Sequence, residues 1–301
     1  MSRSLQFVLY LFFLGHLCLP LHAQNRPLRT ADAEIVPPGT MRAQVGLDFL
    51  QDVDFPLSGL SGDLTSVAVI NIRSGIGKII EIQMYGAAQQ FLDVKKQGAS
   101  FVPLNLTGSR STRDTGDFTF ATKIRVLAEA ARRPALAFRF GYQMPNSNQS
   151  RGIGTNSTNI FAEVIAQKHF GRLNVFGNLG LIILTAPNAL YTQNDVISFG
   201  AAFTYPLHQR ANLVGEVAGR HSTRKIDVNC VPSVLSAPGN FSNCHLIGTE
   251  SRSQARLGVQ IFAGGFWWDF AGIAGLTSRD PRSGFTFGIS KDIRLFESSR
   301  F

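Results

Sequence analysis

Apolar and polar residues alternate along much of this chain, and the stretch GDFTFATKIRV at residues 116–126 shows the pattern most clearly. In an extended strand, successive side chains point to opposite faces. One face therefore carries Phe118, Phe120, Thr122, Ile124 and Val126, and the other carries Asp117, Thr119, Ala121, Lys123 and Arg125. A soluble sandwich would bury the apolar face in a core, whereas a membrane barrel would turn it towards lipid and keep the charged face inside.

The same alternation recurs often enough to predict a protein built of about 12 strands. The predicted strands cover residues 40–50, 64–72, 79–86, 117–128, 135–144, 158–168, 172–184, 196–205, 212–221, 252–263, 266–276 and 285–296.

The connections between these strands alternate in length. The odd-numbered connections are long, at 51–63, 87–116, 145–157, 185–195, 222–251 and 277–284, and the even-numbered ones are short, at 73–78, 129–134, 169–171, 206–211 and 264–265. A Greek-key sandwich has no reason to sort loops in this way. The pattern is typical of an all-β, transmembrane, up-and-down antiparallel β-barrel with long outer loops and short periplasmic turns.

Charged residues on the polar parity of the strands are predicted to line the lumen of this barrel. Seven bases and seven acids fall there, a set that can pair across a narrow interior: Arg42, Asp48, Glu81, Asp117, Lys123, Arg125, Arg139, Glu163, Glu216, Arg220, Arg256, Asp269, Asp292 and Arg294. The lipid-facing parity is nearly free of charge, and Lys291 is the exception. Tyr142, Tyr205 and Trp268, near strand ends, are candidates for the aromatic girdles of a membrane barrel.

The amino terminus has the pattern of a secretory signal peptide. Arg3 precedes an apolar core from Leu5 to Leu14, and Leu21-His22-Ala23 forms a cleavage site before Gln24. An uncleaved anchor is the alternative, but this apolar core is too short to span a bilayer. We therefore predict a signal at 1–23, a periplasmic extension at 24–39, the barrel at 40–296 and a tail at 297–301, in the outer membrane of a Gram-negative bacterium.

Two cysteines remain after removal of the signal, Cys230 and Cys244, both in the long predicted loop 222–251. In an exported protein such a pair favours a disulfide, with free thiols or a metal site as alternatives. No cluster of Cys or His has metal-site spacing, RGIGTN at 151–156 lacks the ending of a phosphate loop, and no cofactor is predicted.

The strand motifs carry a resemblance to a known family. GDFTFATKIRV, RPALAFRFGYQMP, STNIFAEVIAQKHFGRLNVFGNLG and DVISFGAAFTYPL together resemble the phenol-degradation meta-pathway family of transporter-like outer-membrane proteins. The resemblance covers roughly residues 40–296. It implies an outer-membrane β-barrel that conducts small aromatic or apolar molecules, and it supplies no catalytic residues.

The charge of the chain bears on its partners. The net charge of +9 would suit nucleic acid, but export argues against that partner. Basic residues in turns and loops instead suit the phosphates of outer-membrane lipids, including lipopolysaccharide. Further expected partners are a small-molecule solute and, during biogenesis, the barrel-assembly machinery.

Three functions are open at this point. The first is a passive channel or transporter for small molecules, and the second is a non-conducting structural or adhesive barrel. The third is a lipid-modifying enzyme, since His221 and the serines Ser251 and Ser253 share the lipid-facing parity at neighbouring strand ends. No third residue that would orient the histidine is evident, so we expect a protein that is not an enzyme.

Overall fold

A computed structural model describes residues 26–187, 193–222 and 251–296. Thirteen strands lie in one antiparallel sheet. Their bounds are β1 Thr40–Phe55, β2 Leu60–Gly75, β3 Ile80–Gln97, β4 Ser111–Asp114, β5 Thr119–Leu127, β6 Ala135–Gln143, β7 Asn159–Phe170, β8 Leu173–Leu184, β9 Asn194–His208, β10 Ala211–Ser222, β11 Arg252–Ala263, β12 Phe266–Gly275 and β13 Ser283–Arg294.

The sheet closes into a barrel of twelve strands, as the sequence predicts. β1 pairs with β13 in register from Thr40 opposite Arg294 to Gln51 opposite Ser283. β3 pairs with β2 on one side and with β5 on the other. The short β4 adds only to the outer part of β3, and it was not predicted from the sequence. Closure leaves no free strand edge along the wall.

The two faces of the wall have the polarity that alternation predicts. Large apolar side chains remain exposed on the outside: Leu179 is 63% exposed, Leu257 62% and Val126 62%. Lys123 and Ala121, on the opposite face of the same strand as Val126, are buried inside the barrel. The apolar exterior and polar interior are the reverse of a soluble β-protein and are typical of a membrane barrel.

The two ends of the barrel differ in their connections. At one end, which we call the short-turn end, residues 76–79, 128–134, 171–172, 209–210 and 264–265 join the strands, and β1 begins there. The other end, the loop end, carries the longer connections. The connection between β1 and β2 is shorter than predicted. The two strands extend to a tight turn at Pro56–Gly59, so most of the predicted loop 51–63 is strand.

Two irregularities change which residues of β1 and β2 face inward. Asp52 and Ala68 have φ values of 55° and 50° and lie where the register between the two strands shifts. Such a bulge places one extra residue in a strand and re-aims the side chains beyond it. Arg73 consequently points into the barrel and is 1% exposed. The sequence analysis assigned 73–78 to a short turn and expected the basic residues of turns beside lipid phosphates, and for Arg73 this expectation is wrong.

An apolar cluster fills the inside of the barrel at the loop end. Inward-facing residues of four strands pack there with Ile153 of the loop 144–158, namely Leu50, Val53, Leu60, Leu64, Leu92 and Ile273. Ser58 Oγ, in the turn of the first hairpin, donates a hydrogen bond to the Gly152 carbonyl at 2.7 Å. The first hairpin and the loop 144–158 therefore close over part of the lumen.

Aromatic side chains at the short-turn end provide partners for outward-facing basic residues, including Lys291. Lys291 Nζ lies 4.6 Å from the ring centroid of Phe266, so its ammonium has a cation–π partner. Arg172 lies in the same way over Tyr205, at 5.4 Å. Trp268 Nε1 donates to the Ala263 carbonyl at 3.1 Å. Amphipathic aromatic residues of this kind suit the boundary between lipid and water.

Some expectations lie outside the described residues. The signal peptide, the tail at 297–301, and Cys230 with Cys244 fall in ranges that the structure does not describe, so the cleavage and the disulfide remain predictions. Within the described residues, no helix is long and apolar enough to cross a membrane.

Closure of the barrel can be tested at the seam between β1 and β13. Val45 faces outward and lies opposite Ile289 of β13 and Ile70 of β2. Val45→Pro removes a backbone donor from an interior strand, so unboiled protein should lose the distinct mobility in SDS gels that a closed barrel shows. Val45→Ala, which keeps the donor, should retain that mobility. Equal mobility of boiled and unboiled wild type would contradict a closed barrel.

Candidate functional site

The amino-terminal segment, residues 26–38, lies inside the barrel. Ala31 and Ala33 are 0% exposed and Asp32 is 1% exposed. The sequence analysis assigned 24–39, with Pro27, Pro37 and Pro38, to a periplasmic extension. The structure describes residues 26–38 outside the wall strands and in the lumen, where they contact inward-facing side chains.

The segment passes around the inner wall as it runs back from β1. Pro38 forms a parallel bridge with Gly75 at the end of β2. Ala31 and Ala33 then pack with Ala135, Ala137 and Ile165 on β6 and β7. Leu28 packs with Phe176, Ala202 and Val214 on β8, β9 and β10. Arg26 finally reaches Asp48 on β1 and Thr286 on β13, at 2.8 and 2.7 Å. The segment thus contacts nearly the whole circumference.

Side chains of the wall accept hydrogen bonds from the backbone N–H groups of the segment. Val36 donates to Glu81 at 2.8 Å, and Ala33 donates to Gln167 at 2.8 Å. Glu216 accepts from the backbone N–H groups of Arg29 and Thr30, each at 2.8 Å. A buried backbone N–H group without a hydrogen-bond acceptor is costly in free energy. Because the segment is largely outside the sheet, neighbouring strands supply few of the acceptors that it needs. The inward carboxylates and amides of β3, β7 and β10 take that role.

Other wall side chains donate to the carbonyl groups of the same segment. Gln260 Nε2 donates to the Arg26 carbonyl at 2.7 Å, and Arg256 Nη1 donates to the Pro27 carbonyl at 2.8 Å. Lys123 Nζ donates to the Asp32 carbonyl at 3.1 Å. The lumen is therefore lined by groups that match the polar backbone of the segment along its length.

A buried ion-pair network anchors the middle of the segment. Asp32 contacts Arg73 at 3.3 Å and Lys123 at 3.2 Å. Glu81 contacts the same two bases at 2.7 and 3.3 Å. All four side chains are at most 1% exposed. Removing one member of such a network leaves a buried charge without compensation, which costs about 3–5 kcal/mol. Asp32 completes the network because it supplies the second carboxylate.

Small residues in the wall make room for the segment. A Cβ atom added at Gly200 would lie 2.7 Å from Thr30 Oγ1, and one added at Gly75 would collide with the Val36 carbonyl. Glycine in a strand interior often marks such a close approach of another backbone. The wall is thus shaped to fit the segment as well as charged to bind it.

The other predicted lumen residues fall into two groups. Several form ion pairs across neighbouring strands: Arg42 with Asp292 at 2.6 Å, Arg139 with Glu163 at 2.9 Å, and Arg256 with Glu216 at 3.5 Å. Asp269 is buried and accepts from Gln260 at 3.2 Å.

The remaining predicted residues lie near the ends of the barrel. At the loop end, Asp117 accepts from the Ser147 N–H at 2.9 Å, and Arg220 lines a cavity. At the short-turn end, Arg125 donates to the Lys78 carbonyl at 2.8 Å and Arg294 is exposed. The sequence analysis missed Arg26, Asp32 and Arg73 as interior residues.

Ser251 and His221, the candidate hydrolase pair, are brought together on the outer face. Ser251 Oγ lies 2.8 Å from His221 Nδ1. Within the described residues no carboxylate or amide side chain binds the other ring nitrogen, so nothing there orients the imidazole for base catalysis. Ser253 uses its backbone N–H to bind Asp280 at 2.8 Å. Across residues 26–187, 193–222 and 251–296, no group of three or more His, Cys, Asp or Glu side chains is placed to hold a metal ion.

Comparison with known proteins supports the fold. No protein-family model and no curated protein sequence matches the chain, so the phenol-degradation resemblance rests on its motifs alone. Among solved structures, an outer-membrane channel from Pseudomonas putida F1 matches with a TM-score of 0.59 and 13% identity, covering 88% of this chain and all of the channel. At that identity the likeness shows a shared outer-membrane-type β-barrel fold.

Two further solved structures match with TM-scores below 0.5. The translocator domain of the autotransporter NalP from Neisseria meningitidis has a TM-score of 0.47 and 12% identity, covering 85% of this chain and 88% of that domain. The NanC porin has a TM-score of 0.43 and 7% identity, covering 83% of this chain and 97% of the porin.

The contribution of the hydrogen bonds between Glu216 and the segment can be tested by substitution. Glu216→Gln replaces an acceptor oxygen by an amide donor that faces the N–H groups of Arg29 and Thr30. The substitution should weaken the binding of the segment to the wall by about 1–3 kcal/mol. We expect faster amide hydrogen exchange at Arg29 and Thr30, the two residues whose N–H groups donate to Glu216. Glu163→Gln is the matched control, because Glu163 is buried and paired with Arg139 but makes no hydrogen bond to the described segment. Equal effects of the two changes would contradict a specific role for Glu216.

The Ser251–His221 pair is expected to be inert as a hydrolase. A fluorophosphonate probe, which reacts with activated serines, should label the refolded wild type no more than Ser251→Ala. Labelling of wild type that is lost in both Ser251→Ala and His221→Ala would show that the pair is catalytic.

Proposed function

We propose that this chain is an outer-membrane channel for small molecules, in which the segment 26–38 controls conduction from inside the lumen. The observation that carries the proposal is the contrast between the wall and the segment. Backbone ladders close the wall, whereas wall side chains make most of the hydrogen bonds that hold the segment. The segment can leave the lumen without breaking the barrel.

The exterior supports residence in a bacterial outer membrane. Apolar side chains such as Leu179, Leu257 and Phe285 are exposed around the barrel, and an apolar surface of this extent needs lipid to cover it. In the usual orientation of outer-membrane barrels, the short-turn end faces the periplasm. Lys78, Arg132 and Arg133 then lie beside lipid phosphates, and the loops of the other end meet lipopolysaccharide. The barrel-assembly machinery would insert the protein.

The width and the charges of the lumen determine which solutes could pass through it. Twelve strands enclose a lumen wider than that of an eight-stranded barrel but much narrower than that of a sixteen-stranded porin. Its charges are largely paired, as in Arg42–Asp292 and Arg139–Glu163. We therefore propose small solutes with little selection by the sign of ionic charge. The motif resemblance adds aromatic or apolar molecules as the substrate class.

A non-conducting structural or adhesive barrel is the second candidate. It is favoured by the same filled interior: the segment 26–38 occupies the lumen, and the apolar cluster around Leu60 and Ile153 closes part of the loop end. This alternative requires that the segment never leaves. The two candidates therefore differ in one property, which is the mobility of the segment under native conditions.

A reversible lock on the segment separates the two candidates. A Cβ at Gly200 would lie 3.4 Å from the Thr30 Cβ, close to the separation of about 3.5–4.5 Å found in disulfides. We would introduce Thr30→Cys and Gly200→Cys into a chain with Cys230→Ser and Cys244→Ser. The oxidised protein should be silent in planar bilayers and should not admit small sugars into liposomes, and a reductant should restore both.

The control for this lock is the Cys230→Ser, Cys244→Ser chain alone, which should conduct regardless of the reductant. If that control and the wild type are both silent, and deletion of residues 26–38 leaves a heat-modifiable barrel that is also silent, the channel proposal fails and the structural barrel is the better account.

A further inference from the structure

The side chain of Arg26 lies against the inner wall at the seam between β1 and β13. Its Nη2 atom donates to Asp48 Oδ1 at 2.8 Å and to Thr286 Oγ1 at 2.7 Å. Asp48 and Thr286 lie directly opposite each other across the seam. Thr286 Oγ1 also donates to Asp48 Oδ1 at 2.6 Å. The two wall residues therefore form one hydrogen-bonded unit that receives the guanidinium group.

Backbone carbonyl groups complete the set of acceptors around this group. Arg26 Nη1 donates to the Val69 carbonyl at 3.3 Å, and Arg26 Nη2 lies 3.4 Å from the Phe287 carbonyl oxygen. With Asp48, the acceptors come from the three strands β1, β2 and β13 and face both terminal nitrogen atoms. A guanidinium group is planar and presents its donors in a fixed fork, whereas an ammonium group is a compact point charge. The arrangement of acceptors therefore matches a guanidinium group better than an ammonium group.

Two glycines give the guanidinium group room against the wall. Gly46 on β1 lies directly opposite Gly288 on β13. A Cβ atom added at Gly46 would lie 2.6 Å from Arg26 Nη2, and one added at Gly288 would lie 2.9 Å from Arg26 Nε. The next atom that a Cβ at Gly288 would meet is the Val45 carbonyl oxygen, at 3.4 Å. The space over Gly288 is thus filled by the side chain of Arg26, as expected where glycine marks a close approach.

Two carboxylates make this part of the wall attractive to a cation. Asp48 forms an ion pair with Arg26, and Asp269 of β12 is buried and interacts electrostatically with Arg26. Arg29 and Arg256 also interact electrostatically with Asp48. Departure of Arg26 would nevertheless remove the base that contacts Asp48 directly. Breaking a largely buried ion pair is costly, so the vacated site would favour another cation.

Occupation of the site by Arg26 is tied to the position of the segment 26–38. Gln260 Nε2 donates to the Arg26 carbonyl at 2.7 Å, and Arg256 Nη1 donates to the Pro27 carbonyl at 2.8 Å. If the segment leaves the lumen, Arg26 must leave the site with it. The site then consists of wall residues alone, which the backbone ladders keep in place. A ligand that binds only this state shifts the equilibrium towards it.

We infer that the wall site occupied by Arg26 binds small guanidinium-bearing cations, which compete with Arg26 and so favour withdrawal of the segment 26–38. Arg26 is thus an internal ligand that fills the site while the segment is in the lumen. Binding at the site depends on the wall residues alone. The effect on conduction rests on the proposed channel function and gives that channel a class of regulating ligand.

Ethylguanidinium is the probe for the site, because it contains the atoms that Arg26→Ala removes. Its binding would be measured by ligand-observed NMR titration of the refolded full-length protein in detergent. Arg26→Ala should bind ethylguanidinium at least tenfold more tightly than the wild type, in which Arg26 fills the site. The same variant should bind ethylammonium at least tenfold more weakly than ethylguanidinium, because ethylammonium has the charge but lacks the planar fork.

Further changes in the Arg26→Ala chain test where the probe binds. Asp48→Asn removes the charge of the site, and Gly288→Ala adds a methyl group where Arg26 had lain. Each should weaken ethylguanidinium binding by about tenfold or more, equivalent to about 1.4 kcal/mol. Gly272→Ala is the matched control, since a Cβ added at Gly272 would meet open space among the described residues, and it should leave binding unchanged.

Three results would overturn the inference. They are an Arg26→Ala protein that does not bind ethylguanidinium, equal binding of ethylguanidinium and ethylammonium, and equal losses in Gly288→Ala and Gly272→Ala. If Arg26→Ala fails to give a heat-modifiable barrel, Arg26→Lys replaces it. That variant keeps the charge but loses the fork, and it should bind ethylguanidinium with an affinity between those expected for the wild type and for Arg26→Ala.

Competition with the segment and conduction are measured separately. In the wild type, ethylguanidinium should accelerate amide hydrogen exchange at Thr30 and make conducting openings more frequent, and ethylammonium should do neither. Binding and accelerated exchange in a protein that never conducts would overturn the channel proposal and leave the site standing. A protein that conducts, but whose exchange and openings do not respond to ethylguanidinium, would overturn the inference and leave the channel standing.

Discussion

The structure depends on one constraint, which is that a peptide segment inside a closed barrel must find partners for its backbone polar groups. Residues 26–38 lie in the lumen largely outside the sheet, so wall side chains must supply most donors and acceptors. Glu81, Gln167 and Glu216 accept from its N–H groups, and Gln260 and Arg256 donate to its carbonyls. These inward residues on different strands thus share one role.

The same constraint explains why so many charges tolerate burial. Arg73 and Lys123 are buried in the wall, and their charges are balanced by Glu81 of the wall together with Asp32 of the segment. Withdrawal of the segment would remove Asp32 and admit water to the remaining charges. In the function that we propose, the lumen charges would be satisfied by the segment in one state and by water in the other.

Much of the wall could be predicted from the sequence because period-two alternation reports directly on which face is buried. The face that carries Lys123 and the face that carries Val126 were assigned correctly from one short stretch. The bulges at Asp52 and Ala68 could not be predicted, since a positive φ at a non-glycine residue does not change the hydrophobic pattern. The position of Arg73 was therefore predicted wrongly. The position of the segment 26–38 in the lumen could not be predicted, because its contacts are with residues distant in sequence. Periodicity along the chain carries no information about such long-range contacts.

The measurement that tests the central claim most directly is amide hydrogen exchange of the segment in the refolded protein. The N–H groups of Thr30, Ala33 and Val36 are bonded to buried wall side chains, so they should exchange far more slowly than the same residues in an unfolded chain. Substitution of Gln167 by Ala should accelerate exchange most at Ala33. Exchange of all three at unfolded-chain rates, in a barrel whose wall amides remain protected, would show that the segment lies outside the lumen and would contradict this account.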